Sequence, residues 1–143
     1  MEQELGARTG SLHDLLDLGK YNVDIDDKQQ TLISKGNLLL IHGEDATEAA
    51  PKKNFMSYKV SGINSHTHRM GVYEERARGT GDTFVWHESG HLRTQDSVEY
   101  LSKPPNWKQG YLAVRHRDDG AFEIQRHQIH KYRSWFNGQL FEA

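Results

Sequence analysis

Three histidines carry the most chemistry that this sequence offers. His66 and His68 stand one residue apart in the stretch INSHTHRMG (residues 63–71), with Arg69 and Gly71 close behind. His42 closes the apolar run Leu38–Ile41 and is followed by Gly43. Neutral imidazole is a ligand for Zn, Mn, Fe and Ni, and a guanidinium fork matches the oxygens of a phosphate. In an extended stretch, residues two apart share a face, so His66 and His68 are expected to point into one pocket. If the two strands are neighbours, all three imidazoles leave the sheet at the same strand ends, where open α/β sheets carry ligand sites. The plainer reading is that His66 and His68 are two polar residues on a solvated turn. The residues alone leave both readings open.

The elements that must position these side chains follow from hydrophobic pattern and turn residues. Leu38–Ile41 is apolar without alternation, as in a strand buried on both faces. Ser11 is placed to cap a helix through Leu12, Leu15, Leu16 and Leu18 that ends near Gly19. Residues 22–34 read as one or two short strands, and Lys35-Gly36-Asn37 as a turn. Residues 44–58 read as a helix with a break or late start at Pro51, and Val60 to Asn64 as the short segment that delivers His66 and His68.

The second half is β-rich. Runs at 72–73, 83–86, 111–114 and 122–124 are separated by the turn signals Gly79-Thr80-Gly81-Asp82 and Asp118-Asp119-Gly120 and by a proline-punctuated loop over 100–110. The fold class read from this pattern is α/β: buried strands with one or two helices, followed by mainly antiparallel sheet, in a single domain over residues 1–143.

Composition bounds the function. The chain has 143 residues, 35% of them hydrophobic and 27% charged, enough for one modest core. A formal charge of −2 leaves no electrostatic footprint for nucleic-acid binding. With no cysteine, disulfides and thiolate metal sites are excluded, while nine histidines is an unusual count. The first ten residues are polar, and the longest apolar run is far too short to cross a bilayer, so the chain reads as soluble and cytoplasmic, without a membrane partner.

A strand ending in His42-Gly43, about two dozen residues, then Asn64-Ser65-His66-Thr67-His68-Arg69 resembles the C-terminal half of a calcineurin-like metallophosphoesterase. Ser65 stands where that family usually has glycine. The stretches VWHESGHL and YLSKPPNWKQGYLAV resemble a phage and bacterial branch of the family, so the resemblance covers roughly residues 37–143. It implies a partial metallophosphoesterase sandwich and a hydrolase that clamps a phosphate ester with two divalent metal ions (Mn, Fe, Zn or Ni). By the same resemblance His42 and His66 ligate one ion, His68 ligates the other, and Arg69 contacts a phosphate oxygen.

The upstream motifs of the family, Asp-x-His, Gly-Asp-x-x-Asp and Gly-Asn-His-Glu, are absent from this sequence. Without them the bridging carboxylate is missing and two-metal hydrolysis by this chain alone is not expected. The catalytic residues are expected in an N-terminal half that the chain does not contain. Three functional readings follow: a phosphoesterase half that works when joined to that N-terminal half, a non-catalytic metal- or partner-binding remnant, and a plain binding module with incidental histidines. The substrate is read only as a phosphate ester, with nucleic acid not excluded. A half of this kind is expected to leave one backbone edge of Leu38–Ile41 unpaired, or paired with a second copy of the chain, and to be poorly soluble, dimeric or destabilised.

The remaining candidates receive plainer readings. His87 and His91 read as satisfied polar histidines, with an added metal ligand as the alternative. His116, His127 and His130, among Arg115, Arg117, Arg126, Lys131 and Arg133, read as a solvated basic face. Trp107 and Trp135 read as core or strand-edge residues. Asp24, Asp26 and Asp27 lack the glycine and glutamate of an EF-hand loop.

Overall fold

The computed structural model describes Lys20 and residues 31–34, 37–93 and 105–142. The chain divides into two compact units, Met1–Gln30 and Thr31–Ala143, and every element named below belongs to the second. The helix expected after Ser11, any strand within 22–30, the acidic run at 24–27 and most of the loop at 100–110 lie outside the described residues.

The expected mixed α/β architecture is present. A five-stranded sheet has the order β1-β2-β3-β5-β4, built from β1 (Thr31–Ser34), β2 (Leu38–Ile41), β3 (Gly62–Asn64), β4 (Val72–Arg76) and β5 (Thr83–Glu88). β2, β3 and β5 run parallel, and β1 and β4 flank them antiparallel. Parallel neighbours need a crossover, and α1 (Ala50–Tyr58) supplies it between β2 and β3. Pro51 sits in the first helical turn, where its missing N–H is harmless, so the helix starts late as its proline dictates. Lys59 closes it in the left-handed conformation, its N–H bonded to the Phe55 carbonyl.

The buried stripe of α1, residues Ala50, Pro51, Asn54 and Phe55, faces the sheet. Phe55 joins Leu39 and Trp86 in the core, with Ile41, Tyr73 and Phe84 packed around them. Gly62 is opposite Trp86 in the β3–β5 ladder, and only a residue without Cβ leaves room there: a Cβ would stand 2.5 Å from the indole.

The expected open edge on Leu38–Ile41 is not found. β1 pairs with β2 on one side and β3 pairs on the other, because the chain reverses between Ser34 and Leu38 and folds the preceding strand back as an antiparallel neighbour. The strand is also less buried than its sequence suggests: Leu38 and Leu39 are buried, Leu40 and Ile41 only in part.

The C-terminal part is antiparallel, as read, and consists of two hairpins. β6 (Gly110–His116) pairs with β7 (Phe122–Gln128) across the expected turn at Asp118–Gly120, and β8 (Arg133–Phe136) pairs with β9 (Gln139–Glu142). The last turn uses Asn137 and Gly138, both at positive φ, the dipeptide best suited to a two-residue hairpin. His127 does not belong to a solvated basic face. It is buried, its Nδ1 lies 2.7 Å from the Trp135 carbonyl oxygen, and its ring stacks on Tyr111. Trp135, 62% exposed, lies in the two-stranded β8–β9 hairpin, so of its two expected places it takes the strand edge and not the core. Among the described residues no helix is long and apolar enough to cross a membrane.

Candidate metal centre

The parallel pairing of β2 and β3 brings the two histidine motifs together. Both strands end on the same side of the sheet, and the chain continues into His42-Gly43 from one and Ser65-His66 from the other. The His42 carbonyl accepts hydrogen bonds from the backbone N–H groups of Ser65 and His66, at 3.1 and 3.0 Å. Gly43 has φ +88°, and a Cβ there would press on Asn64 at 3.2 Å. The glycine after His42 is therefore a requirement of the close approach of the two strand ends.

His42 Nε2 and His66 Nδ1 consequently stand 3.1 Å apart, with their rings edge to face. In this arrangement one nitrogen carries a proton and the other accepts it. Two imidazole nitrogens at about 2.0–2.1 Å from one tetrahedral ion would be about 3.3–3.4 Å apart, so the separation suits a shared divalent ion once the proton between them is lost and the rings turn both lone pairs towards it.

His68 goes elsewhere. Residues 66 and 67 form a turn instead of the extended stretch assumed for a shared face, and His68 has φ +57°, uncommon for a residue with a Cβ. Its ring lies 4.7 Å from Trp107 and 5.4 Å from His91, centroid to centroid. His42 and His66 are still near enough to act on it: burial first, then the charges of His66 and His42, hold His68 below the usual histidine value. His91 is lowered by burial and by His68, with a hydrogen bond to the Arg93 backbone working the other way. In both rings burial disfavours the charged form, and the neutral imidazole is the form a metal requires.

Thus two imidazole pairs form, His42 with His66 and His68 with His91. Among the described residues no group of three or more His, Cys, Asp or Glu side chains is spaced to hold one ion. The Arg69 Nε and Nη1 atoms are buried without a hydrogen-bond partner among the described residues, as a guanidinium awaiting an anion would be. A pocket of about 240 Å³ is lined by Met70, the residue after Arg69, with Lys108, Arg126 and Gln128. It is tied to the turn by a bond from Lys108 N–H to the His68 carbonyl (2.8 Å) and one from Arg126 Nη1 to the Met70 carbonyl (2.9 Å).

Residues that the sequence reading passed over hold this turn in place. Thr67 is buried between the two histidines and donates its hydroxyl proton to Glu88, itself 1% exposed at the end of β5. Asn64 is fully buried, and its Oδ1 accepts from the Trp86 indole N–H at 2.8 Å. The available signal was the Trp-His-Glu ending of β5: polar residues closing a strand that the parallel register sets directly beside the histidine-bearing one. His87 and His91 are not fully satisfied either, since His87 Nδ1 and His91 Nε2 are buried without partners among the described residues. Burial, followed by the charge of Arg126, lowers His87 to about 4.

Comparison with known proteins returned no matching family model, no matching curated protein and no matching solved structure.

Proposed function

We propose that this chain is the histidine-bearing part of a metal-dependent phosphoesterase, its sheets forming part of a metallophosphoesterase-type sandwich. His42 and His66 hold one divalent ion, His68 faces a second, and Arg69 meets a phosphate oxygen. The observation that carries this reading is the 3.1 Å separation of His42 Nε2 and His66 Nδ1, produced by strand ends 24 residues apart in sequence. The Arg69 Nε and Nη1 atoms, without a partner among the described residues, and the pocket lined in part by Lys108 and Arg126 support a phosphate ester as substrate.

In such a site bound divalent ions polarise the phosphate and activate water. The chain's own residues do the rest. Arg69 orients the ester through its forked N–H groups, the Thr67–Glu88 contact keeps His66 and His68 on their turn, and Gly43 lets the two strand ends approach. The bridging carboxylate would come from a segment carrying the Asp-x-His, Gly-Asp-x-x-Asp and Gly-Asn-His-Glu motifs.

The test is hydrolysis of a generic phosphodiester with manganese. The chain alone should show almost no turnover, and adding a segment with those motifs should produce it. Robust turnover by the chain alone, abolished by His66→Ala, would show that the carboxylates are dispensable. A non-catalytic metal- or partner-binding role is the second reading, favoured by the finding that imidazoles pair here without a third ligand among the described residues. Metal binding that persists without turnover, even with the added segment, would select it.

A further inference from the structure

We propose that His91 is a metal ligand: with His68 it forms a second imidazole pair that holds a divalent ion of the borderline class, zinc, nickel, cobalt or copper, against the indole of Trp107. This deepens the reading above, because it rests on His68 facing an ion and adds a second imidazole beside it.

The two pairs share a ring separation, while His68 and His91 are tilted at 45° where His42 and His66 stand edge to face at 85°. The His68 and His91 ring centroids are 5.4 Å apart, against 5.1 Å for His42 and His66. His91 Nε2 is buried without a hydrogen-bond partner among the described residues, an acceptor whose burial is unfavourable unless something meets it. Both histidines are fastened to the same short stretch of chain. The Lys108 N–H bonds the His68 carbonyl, the His91 N–H bonds the Lys108 carbonyl at 3.1 Å, and the Gly110 N–H bonds the His91 carbonyl at 2.9 Å. Trp107, one residue before this ladder, stands edge to face against both rings, with interplanar angles of 74° and 72°. His68 keeps a left-handed backbone conformation, a strain that persists where the surroundings enforce it and that clusters at ligand sites. An all-nitrogen donor pair beside an indole suits a borderline ion rather than magnesium or calcium, which require oxygen ligands.

The indole also gives the test its readout. Nickel is titrated into the whole chain while tryptophan emission is followed. Nickel held by His68 and His91 lies beside Trp107 and quenches it, so the wild-type chain shows a saturable quench that disappears in Trp107→Phe. His91→Ala weakens the midpoint by more than about tenfold, since even outer-shell partners are worth about 10–100-fold in metal affinity. His91→Cys, which keeps a donor atom, retains the quench. If His91→Ala unfolds by circular dichroism, His91→Gln is titrated in its place. A His91→Ala or His91→Gln midpoint equal to wild type, a quench lost in His91→Cys, or no Trp107-dependent quench at all overturns the proposal. The His42–His66 pair is read separately, by calorimetry with His66→Ala. Heat lost in His66→Ala, together with a His91→Ala quench midpoint equal to wild type, would leave the reading above standing and remove this one.

Discussion

Replacing Gly62 by alanine tests the register on which the site depends. The added Cβ would lie 2.5, 2.6 and 2.8 Å from three indole carbons of Trp86, well inside contact distance. The indole has nowhere to yield. It is fully buried, it stacks on Tyr58, and its N–H is held by Asn64 Oδ1 at 2.8 Å. Overpacking of this kind costs about 1–3 kcal/mol, and three simultaneous overlaps with a rigid ring place it at the upper end. The lower entropy of the unfolded alanine chain returns about 0.4–1 kcal/mol. A net loss of about 2 kcal/mol remains, or about 8 °C in Tm for a domain of this size. Gly79→Ala is the matched control, with no atom within 4 Å of the added Cβ and no positive φ, and should be neutral or slightly stabilising. Thermal and urea unfolding followed by circular dichroism measure both. If Gly62→Ala proves as benign as Gly79→Ala, Gly62 does not face Trp86. The β3–β5 register is then wrong, and with it the placement of Asn64, His66 and Glu88.

Stability should also depend on pH through His87. Its value is about 4 in the folded protein against 6.5 in a free chain, so between those values the unfolded chain binds the proton that the native one refuses. The full stability is present above about pH 6.5 and falls as pH drops towards 4, by at most about 3.4 kcal/mol at 1.36 kcal/mol per pKa unit and by less with solvent screening. Urea midpoints at pH 7 and 4.5 should differ less in His87→Leu, and an unchanged difference would rule out His87 as the source. Thr67→Val removes the hydroxyl that meets the buried Glu88 carboxylate and should cost about 1–3 kcal/mol. Adding Glu88→Leu should recover part of that loss in the same unfolding experiment. If the double variant is no more stable than Thr67→Val, the orphaned carboxylate was not the cause.

The strands were legible where one local signal sufficed. Leu38–Ile41 announced itself by its apolar run, the two long hairpins by their glycine- and aspartate-bearing turns, and α1 by Pro51 in its first turn. The juxtaposition of His42 with His66 was also legible, since two strand ends carrying imidazoles converge whenever those strands lie side by side in parallel. What escaped notice depended on tertiary contact. His68 alternates with His66 in sequence, yet the turn at 66–67 sends the two rings to different partners. Nothing local to His127 reports that it packs beneath Tyr111 and Phe136. Glu88 and Thr67 meet only because β3 and β5 are parallel neighbours, 21 residues apart along the chain. Asn137-Gly138 was the exception, a local hairpin signal passed over beside the more conspicuous tryptophan at 135.

The central claim is that His42 and His66 share one divalent ion. Crystals of the chain soaked in zinc and measured on both sides of the zinc absorption edge test it most directly. An anomalous peak about 2.0–2.1 Å from both His42 Nε2 and His66 Nδ1, absent from crystals of His66→Ala, is the result this account predicts. Zinc found only at other histidines, with the His42–His66 hydrogen bond intact beside it, would contradict the account.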